Sequence, residues 1–357
     1  GKTIAAPIFL GCCISATRWV CFAARRTIGR GNQAKRGLAV DLSIVVPCYN
    51  EEGSLPLLFS AVDDAFATSG VSYELVLVND GSSDGTSHLL HELPAPASAE
   101  RIVVVDFSRN FGKESALLAG LQHAEGDAVG LMDADLQQPP ATLLEMYRML
   151  QANPSADCVA AFQEHRNEGA MLSFFKHAFY KTFDATSRLN VMPDASDFRV
   201  FHRRVADALL SMPESFRFSK GMFAWVGFET LPFPYTPANR VEGETKWSFR
   251  KLMRYGIGGV LSFTTFPLKI AAVAGLVATL AGLVLLVEVI VEQFINPAMP
   301  SGYPTLLCVL LLMGGLILVT LGVIGEYIAR IYIETKRRPA YIAKSVEVRT
   351  STNQAGK

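Results

Sequence analysis

The chain has 357 residues, 50% of them hydrophobic, and its 33 basic side chains balance its 33 acidic ones. This neutral, apolar-rich composition argues against a nucleic-acid-binding domain, a disordered chain and a collagen-like fibre. The mean hydropathy of +0.26 is high for a soluble protein. The sequence therefore predicts membrane-spanning segments in addition to a globular core.

The first 40 residues carry basic side chains but no acidic one, since the first carboxylate is that of Asp41. An apolar stretch from Ile4 to Ala24 is interrupted by Arg18, which makes it a poor membrane span and a poor secretory signal. We expect residues 1–40 to be a basic extension that is disordered or rests on a membrane surface.

From Leu42 onwards, short apolar runs alternate with helical patterns, which is typical of βαβ units around a mostly parallel sheet. We predict buried strands at Leu42–Pro47, Tyr73–Val78, Arg101–Phe107, Ala128–Met132 and Cys158–Phe162. Helices are predicted at about Leu55–Thr68, Thr86–Glu92, Glu114–Ala124 and Ala141–Gln151. These elements indicate an α/β domain over residues 41–250. Its ligands are expected at the carboxyl ends of the strands, where polar clusters follow each apolar run.

Two carboxylates follow the fourth predicted strand, in the sequence Asp133-Ala134-Asp135-Leu136-Gln137. At this spacing they can converge on one divalent cation, and Gln137 adds a neutral oxygen. Mg²⁺ and Mn²⁺ favour oxygen ligands and often take substrate phosphate for their remaining positions. Solvated acidic turns also contain D-x-D, so the position after an apolar strand is what favours a metal site.

The other strand ends carry side chains suited to a nucleotide. The first strand runs into P-C-Y-N-E-E and the second into N-D-G-S-S-D-G-T. Their side chains offer a stacking face and hydrogen-bond partners for a base and a ribose, although a plain turn is the alternative for Asp80-Gly81. The third strand leads to S-R-N-F-G-K-E, a segment that either puts a cation beside the nucleotide or caps a helix. The expected nucleotide-binding residues are Pro47, Tyr49, Asn50, Glu51, Asp80 and Lys113.

Two apolar spans, at about residues 267–291 and 304–327, are each long enough to cross a bilayer. The connecting stretch 293–303 has no Lys or Arg, whereas several basic residues follow the second span. By the positive-inside rule, the connection lies outside and both ends are cytoplasmic. We assign residues 251–338 to a juxtamembrane helix and two transmembrane helices, and 339–357 to a C-terminal tail. Two buried helices of a soluble protein are the alternative.

Two further segments have the composition of membrane-surface elements. Residues Met171–Ser187 interleave aromatic with basic side chains, and Trp247–Tyr255 is basic. Both could hold the α/β domain at the headgroup level. An ordinary amphipathic helix packed on the sheet is the alternative for the first.

Taken in order, V-P-C-Y-N-E-E, N-D-G-S-S-D-G-T, S-R-N-F-G-K and D-A-D-L-Q-Q-P-P resemble the family 2 glycosyltransferases of the GT-A fold. The closest resemblance is to the polyprenyl-phosphate sugar transferases, typified by dolichyl-phosphate mannose synthase and the bacterial bactoprenol glucosyltransferases. It covers about Leu42–Arg338 and includes the two C-terminal spans. It implies a GT-A nucleotide-sugar-binding domain, with a mostly parallel sheet flanked by helices, followed by two transmembrane helices.

The resemblance implies roles for individual residues. Asp133 would contact the nucleotide, and Asp135 and Gln137 would hold the metal, with Asp133 close enough to be a further ligand. The family's arginine near the reacting phosphates is matched by Arg199 in the segment D-F-R, where Asp197 would orient it. We expect catalysis to depend on Asp135, Asp197 and Arg199.

Further cations are matched by the same resemblance. A basic region expected to close on the pyrophosphate corresponds to Arg240, Gly243, Thr245 and Lys246. Arg166 and Lys220 are expected, with Arg199, to meet the phosphate of the acceptor. Exposed structural salt bridges are the alternative for these cations.

The implied reaction is an inverting transfer of a hexose from a nucleotide sugar to a membrane polyprenyl phosphate, with Mg²⁺ or Mn²⁺ as cofactor. UDP-glucose is the first expected donor, ahead of other UDP-hexoses and GDP-mannose, and undecaprenyl phosphate is the expected acceptor in a bacterium. The acceptor phosphate is largely dianionic at neutral pH, so no protein base is required. We expect an inner-membrane protein and a small homo-oligomer, with no nucleic-acid partner.

Two other functions compete with this one. A processive polysaccharide synthase would share the GT-A core, but the Q-x-x-R-W motif expected of such enzymes is absent from the sequence. A catalytically inactive, membrane-anchored nucleotide-binding scaffold would be expected to have lost site residues. The intact Asp133, Asp135, Gln137 and Arg199 argue against that loss.

Overall fold

The computed structural model describes residues 40–163, 195–236, 264–295 and 302–350. Several predicted features lie outside these ranges: residues 1–39 of the extension, the segments 171–187 and 247–255, and the residues Arg166, Arg240, Gly243, Thr245 and Lys246. They stay predictions.

One mixed sheet forms the centre of the described structure. Its strands are β1 (Leu42–Cys48), β2 (Tyr73–Asn79), β3 (Arg101–Phe107), β4 (Ala128–Leu131), β5 (Cys158–Gln163), β6 (Ala195–His202), β7 (Thr230–Tyr235) and β8 (Ala343–Thr350). They lie in the order β7-β5-β6-β4-β1-β2-β3-β8. The pairings among β4, β1, β2 and β3 are parallel, as is that of β7 with β5. β6 pairs antiparallel with β4 and β5, and β8 with β3. The five predicted strands are confirmed to within one residue at each end.

Six helices lie on the two faces of the sheet: α1 (Leu55–Phe66), α2 (Thr86–Glu92), α3 (Lys113–His123), α4 (Pro140–Ala152), α5 (Arg203–Ser211) and α6 (Ser219–Val226). Two long helices follow them in the chain, α7 (Phe266–Ile295) and α8 (Tyr303–Thr335). Ile44 and Val46 of β1 pack into the core that includes α1 and α4, whereas Val45 packs into the core that includes α3 and α5. Because successive strand residues point to opposite faces, a strand buried on both sides has an almost continuous apolar sequence. The apolar runs therefore located the strands reliably.

The two C-terminal helices carry segments apolar enough to cross a membrane. These segments are Phe266–Leu285 and Leu312–Thr335, with mean hydropathies of 2.2 and 1.9, and none of either window is buried inside the protein. Val284 is 67% exposed and Leu312 is 74% exposed. Apolar surface of this extent is not left in contact with water. It contradicts the alternative of two buried helices in a soluble protein.

β8 returns the chain from the second long helix to the sheet. It runs antiparallel to β3, with Arg101 opposite Thr350 and Phe107 opposite Ala343. The backbone N–H of Ser108 extends the pairing by donating to the carbonyl of Ile342 at 3.0 Å. Residues 339–357 were expected to form a tail, and their sequence predicted no strand.

A histidine between two carboxylates connects β8 to the helix beside it. His91 Nε2 lies 2.7 Å from Asp106 Oδ2 on β3, and His91 Nδ1 lies 2.5 Å from Glu347 Oε2 on β8. Asp106 also accepts a hydrogen bond from Ser345 Oγ at 3.0 Å. Burial alone would lower the pKa of His91, but its hydrogen bonds to Asp106 and Glu347 outweigh burial and raise that pKa.

The raised pKa predicts how stability changes with pH. Protonated His91 stabilises the folded state fully below the ordinary histidine pKa of about 6.5, and that stabilisation is lost as the pH rises through the raised pKa of the folded state. Thermal unfolding of the detergent-solubilised protein across this range should show the loss, and His91→Gln should remove this component. His88→Gln is the matched control, because the His88–Glu92 pair on the same helix is exposed and contributes little. An unchanged pH profile in His91→Gln would contradict the assignment.

Candidate active site

The loops after β1 and β2 are joined by hydrogen bonds at the carboxyl edge of the sheet. The backbone N–H of Asn50 donates to Ser82 Oγ at 3.0 Å, and that of Ser83 donates to Asn50 Oδ1 at 2.9 Å. The N–H of Glu51 donates to Thr86 Oγ1 at 2.8 Å. Asn50 has a φ of 54°, in the left-handed region that asparagine tolerates better than most residues. The parallel strands thus bring two of the predicted nucleotide segments together.

Asp80 connects the loop after β2 to the loop after β3. Its side chain is buried, and Oδ1 accepts the backbone N–H groups of Phe111 at 2.7 Å and Gly112 at 3.1 Å. Burial raises the pKa of Asp80, against the opposing effect of these hydrogen bonds. The carboxylate therefore fixes the residues directly before Lys113, so its first role in this structure is to position the start of α3.

Gly81 lets the same two loops approach closely. Its φ is 64°, and an added Cβ would lie 2.3 Å from the carbonyl carbon of Arg109 and 2.5 Å from the nitrogen of Asn110. Both neighbours are backbone atoms, so no side-chain movement could relieve the overlap. The alternative of a plain turn for Asp80-Gly81 thus describes the local shape but omits the contact between loops.

Lys113 lies between two carboxylates from different strands. Its Nζ is 2.6 Å from Asp133 Oδ1 and 3.5 Å from Asp197 Oδ2. Burial alone would lower the pKa of Lys113, but Asp133 and Asp197 outweigh burial and raise that pKa. The structure therefore favours the role of a cation within the acidic site, because the N-cap of α3 is Gly112 and makes no side-chain capping hydrogen bond, and an ammonium has no acceptor with which to cap a helix N-terminus.

The loop after β4 holds Asp133 in place through a side chain that the sequence analysis did not select. Gln138 Oε1 accepts the backbone N–H of Asp133 at 2.8 Å, and Gln138 Nε2 donates to Asp133 Oδ2 at 3.1 Å. Gln138 is buried. Its amide thus fixes both the backbone and the carboxylate of Asp133.

Asp135 lies in a tight turn of the same loop. Its Oδ1 accepts the backbone N–H of Gln137 at 3.1 Å, a local arrangement typical of aspartate in turns. Leu136 between them has a φ of 61°. A leucine in this region is strained, and such strain is found preferentially at functional sites.

Asp197 and Arg199 lie two residues apart on β6 and therefore on one face of the sheet. Arg199 is buried, its Nε donates to the carbonyl of Ser196 at 3.1 Å, and its guanidinium carbon lies 4.4 Å from the ring centre of Phe223. The sequence analysis assigned Asp197 to orient Arg199. In the structure Ser196 and Phe223 orient the arginine, whereas Asp197 pairs with Lys113.

Positive charges surround Asp197. Burial opposes its ionisation, yet Lys113, Lys220 and Arg199 outweigh burial and lower its pKa. Among the described residues, no hydrogen-bond donor reaches the buried Asp197 Oδ1. Lys220 thus acts on the same carboxylate as Lys113, as expected for a cation at the site.

Comparison with known proteins places these features in a family. Residues 43–210 match the model of glycosyl transferase family 2, and residues 266–331 match the GtrB C-terminal hairpin. The prophage bactoprenol glucosyl transferase homolog of Escherichia coli K12 is 38% identical over 307 residues, which cover 86% of this chain and 99% of that protein. The bactoprenol glucosyl transferase of Shigella phage SfV is 38% identical over 309 residues, 85% of this chain and 98% of that one.

The chain belongs to glycosyl transferase family 2. Together with the two apolar helices, this membership makes it a membrane-associated glycosyltransferase. Among solved structures, glucosyl-3-phosphoglycerate synthase of Mycobacterium tuberculosis in complex with Mn²⁺, UDP-glucose and phosphoglyceric acid is similar with a TM-score of 0.45 and 18% identity. The match covers 63% of this chain and 78% of that one.

The structure gathers most of the predicted site residues of this glycosyltransferase at one edge of the sheet. Lys113 contacts both Asp133 and Asp197, and Lys220 and Arg199 act on Asp197. The remaining described residues stand at or just after the carboxyl ends of the parallel strands β1, β2 and β4: Pro47, Tyr49, Asn50, Glu51, Asp80, Asp135 and Gln137.

Two residues that hold the site were not identified from the sequence. Gln138 stands beside Gln137 in D-L-Q-Q, and the sequence alone does not indicate which glutamine faces Asp133. Glu114 accepts the backbone N–H of Ser219, 105 residues away, at 3.2 Å and also the hydroxyl of that serine. Only the helix-cap alternative considered for the segment 108–114 could have pointed to it.

Comparison of Gly81→Ala with Gly70→Ala should distinguish the energetic cost of disturbing the contact between the two loops from the cost of backbone strain alone. Gly70 also has a positive φ, 72°, but no atom lies within 4 Å of the position of an added Cβ. We expect Gly70→Ala to lower the free energy of unfolding by about 1 to 2 kcal/mol. Gly81→Ala should cost at least about 2 kcal/mol more, because backbone atoms must move.

The measurement is denaturant unfolding of both variants, with nucleotide affinity measured alongside. The nucleotide affinity should fall only in Gly81→Ala, because the displaced loop 109–112 leads directly into Lys113. Equal losses of stability in the two variants would mean that the close approach has no energetic importance.

Proposed function

We propose that this glycosyltransferase transfers a hexose from a nucleotide sugar, UDP-glucose or a similar donor, to a membrane polyprenyl phosphate. In a bacterium the acceptor would be undecaprenyl phosphate. The names of the two bactoprenol glucosyl transferase relatives support this acceptor, because both align over nearly their full length. The observation that carries the proposal is the cluster of Lys113, Lys220 and Arg199 around acidic strand ends, in a domain attached to an apolar hairpin.

The cations suit a reaction in which a nucleoside diphosphate leaves. Negative charge develops on that leaving group, and cations already fixed in place stabilise it without reorganisation. Lys113 is held by two carboxylates, and Arg199 by a carbonyl and an aromatic ring. Arg240 and Lys246, outside the described residues, are proposed to add positive charge at the pyrophosphate.

The donor set fits a hard divalent cation, Mg²⁺ or Mn²⁺. Asp135, Gln137 and Asp133 offer only oxygen ligands, and the described residues contain no group of three His, Cys, Asp or Glu side chains placed to hold a metal by themselves. Few protein ligands supplemented by substrate phosphates are typical of Mg²⁺ sites. Because Asp133 Oδ1 is paired with Lys113, we assign the main ligand role to Asp135 and Gln137. The bound ion would neutralise charge on the diphosphate.

The nucleophile is proposed to be an oxygen of the lipid phosphate. This group is largely dianionic at neutral pH and needs no general base. The surroundings of Asp197 agree, because the cations that lower its pKa make it a poor proton acceptor. Its role is to hold Lys113, while Lys220, Arg199 and Arg166 meet the acceptor phosphate. A single displacement would invert the anomeric centre.

The membrane topology is proposed from the sheet as well as from the charges. β8 follows the second apolar helix in the chain. It pairs with β3, which comes before the first apolar helix. Both ends of the hairpin are therefore on the side of the catalytic domain, which must be the cytoplasmic side to reach nucleotide sugars. An inner-membrane location follows, and the glycines of α8 would permit close helix packing in a small homo-oligomer.

The reaction is tested by incubating the purified protein in detergent with undecaprenyl phosphate, Mg²⁺ or Mn²⁺, and labelled nucleotide sugars, then counting label in organic solvent. Metal-dependent transfer from one donor is expected. Asp135→Asn should reduce it by about 100-fold or more, because a ligand of the ion that stabilises the leaving group is weakened.

Asp64→Asn is the matched control, since Asp64 is an exposed aspartate on α1, and it should retain full transfer. Normal activity in Asp135→Asn would contradict the metal assignment. No label from any donor, with the protein folded, would favour an inactive scaffold instead.

Topology is tested with reporters that leave β8 intact. A fluorescent protein fused after Lys357 should fluoresce, because we expect the C-terminus to be in the cytoplasm. Alkaline phosphatase inserted near Met299 should be active, because we expect that connection to lie outside. A fusion directly after Arg338 would instead separate β8 from β3 and is unsuitable. The opposite reporter pattern would place the active site away from its donor and overturn the topology.

A further inference from the structure

The last turn of α8 holds the loop between α5 and α6. Glu334 Oε1 accepts the backbone N–H groups of Ser215 at 2.9 Å and Phe216 at 3.4 Å, and Oε2 accepts Ser215 Oγ at 3.0 Å. One turn earlier, the guanidinium carbon of Arg330 lies 4.7 Å from the ring centre of Phe216. The second apolar helix thus binds this loop through both its backbone and a side chain.

The other end of the same loop is held by Glu114. This carboxylate accepts the N–H and the hydroxyl of Ser219, the first residue of α6. Glu114 directly follows Lys113, and Ser219 directly precedes Lys220. The hydrogen bonds between Glu114 and Ser219 therefore link the two lysines whose positive charges act on Asp197.

Between these two ends, Arg217 holds the loop to the end of α5. The buried side chain of Arg217 donates to the carbonyls of Met212 at 3.2 Å and Leu209 at 3.1 Å. Segment 215–219 is thus tied to the membrane hairpin, to α5 and to α3, and it has little freedom to move independently of them.

The position of Glu334 along α8 sets its height above the bilayer. The hydroxyl of Tyr327 donates to the carbonyl of Thr264 at 2.8 Å, two residues before α7 begins at Phe266. Tyr327 therefore marks the level at which the first apolar helix starts. Glu334 lies seven residues further along α8, which is about 10 Å at 1.5 Å per residue. The headgroup layer on one side of a bilayer is about 5 to 8 Å thick. With the start of α7 placed at the edge of the hydrocarbon core, Glu334 would therefore lie near the outer surface of that layer.

We propose that Glu334 and Glu114 are positioning residues that hold Lys220 at the height and orientation needed to receive the phosphate of the lipid acceptor. This inference rests on the proposed function. The acceptor phosphate is confined to the headgroup layer, whereas the donor arrives from solution. The loop 215–219 is fixed to the second apolar helix. Lys220, which directly follows this loop, therefore keeps a constant depth relative to the membrane. Loss of the Glu334 contacts therefore affects use of the lipid and leaves the donor site intact.

The test measures steady-state kinetics in nanodiscs, with undecaprenyl phosphate varied at saturating donor, and separately the affinity for the nucleotide sugar. Glu334→Ala is expected to raise the KM for the lipid about tenfold and to leave the donor Kd within about twofold of wild type. Glu334→Gln keeps one acceptor oxygen and should give an intermediate KM. Glu114→Gln should act in the same direction.

Glu145→Ala is the control, because Glu145 is an exposed glutamate on α4, and α4 packs on the other face of the sheet from α5. It should leave the KM for the lipid unchanged. Amide hydrogen exchange supplies a readout independent of turnover: residues 215–220 should exchange faster in Glu334→Ala but not in Glu145→Ala.

Each outcome decides a different point. Unchanged exchange in Glu334→Ala would mean that the carboxylate does not hold the loop, and faster exchange with an unchanged KM would mean that the loop does not position the acceptor. Either result overturns the inference while leaving the proposed reaction intact. Absence of transfer by the wild-type protein would instead overturn the proposed reaction.

Discussion

The ion pairs of Lys113 are the interaction on which the site depends. The ammonium lies 2.6 Å from a carboxylate at the end of β4 and 3.5 Å from a carboxylate on β6. Without it, Asp133 would lose this ion pair, and Asp197 would keep only the influence of Lys220 and Arg199. One lysine thus joins the carboxylates of two separate segments, in the space where we propose that the diphosphate of the donor and the phosphate of the acceptor meet.

The position of that lysine is set by backbone rather than by charge. Asp80 receives the N–H groups of Phe111 and Gly112, and Gly81 allows the loops after β2 and β3 to approach. These contacts determine where α3 begins, and Lys113 is its first residue. Asp80 therefore contributes to the acidic site without touching it, although it was expected at the nucleotide.

The sequence alone predicted those strands whose local pattern of apolar residues reflects their burial. β1 to β4 are buried on both faces, and their apolar runs have no other common explanation. β7 (TLPFPY) contains two prolines, and β6 (ASDFRVFH) carries Asp197 and Arg199, so neither has an uninterrupted apolar pattern. The motif order located the site residues, but Glu114 contacts Ser219, which is 105 residues away, and such a contact depends on tertiary packing that spacing along the chain does not reveal. The contacts of Gln138 with Asp133 and of Ser196 with Arg199 are local, but the sequence does not indicate which way these groups face.

β8 changes how the membrane hairpin should be understood. A C-terminal hairpin followed by a tail would be only an anchor, because the catalytic domain could move relative to it about the single connection before α7. With β8 paired to β3, the hairpin is tied to the domain at both of its ends.

Tyr341 stacks on Phe107 with ring centres 4.7 Å apart, and Ser115 Oγ donates to the carbonyl of Ala340 at 3.1 Å. The segment that leaves the membrane thus packs against α3, the helix that begins with Lys113. For an enzyme whose two substrates come from different phases, this arrangement keeps the charged site at a fixed distance from the lipid surface, which a single flexible linker could not do.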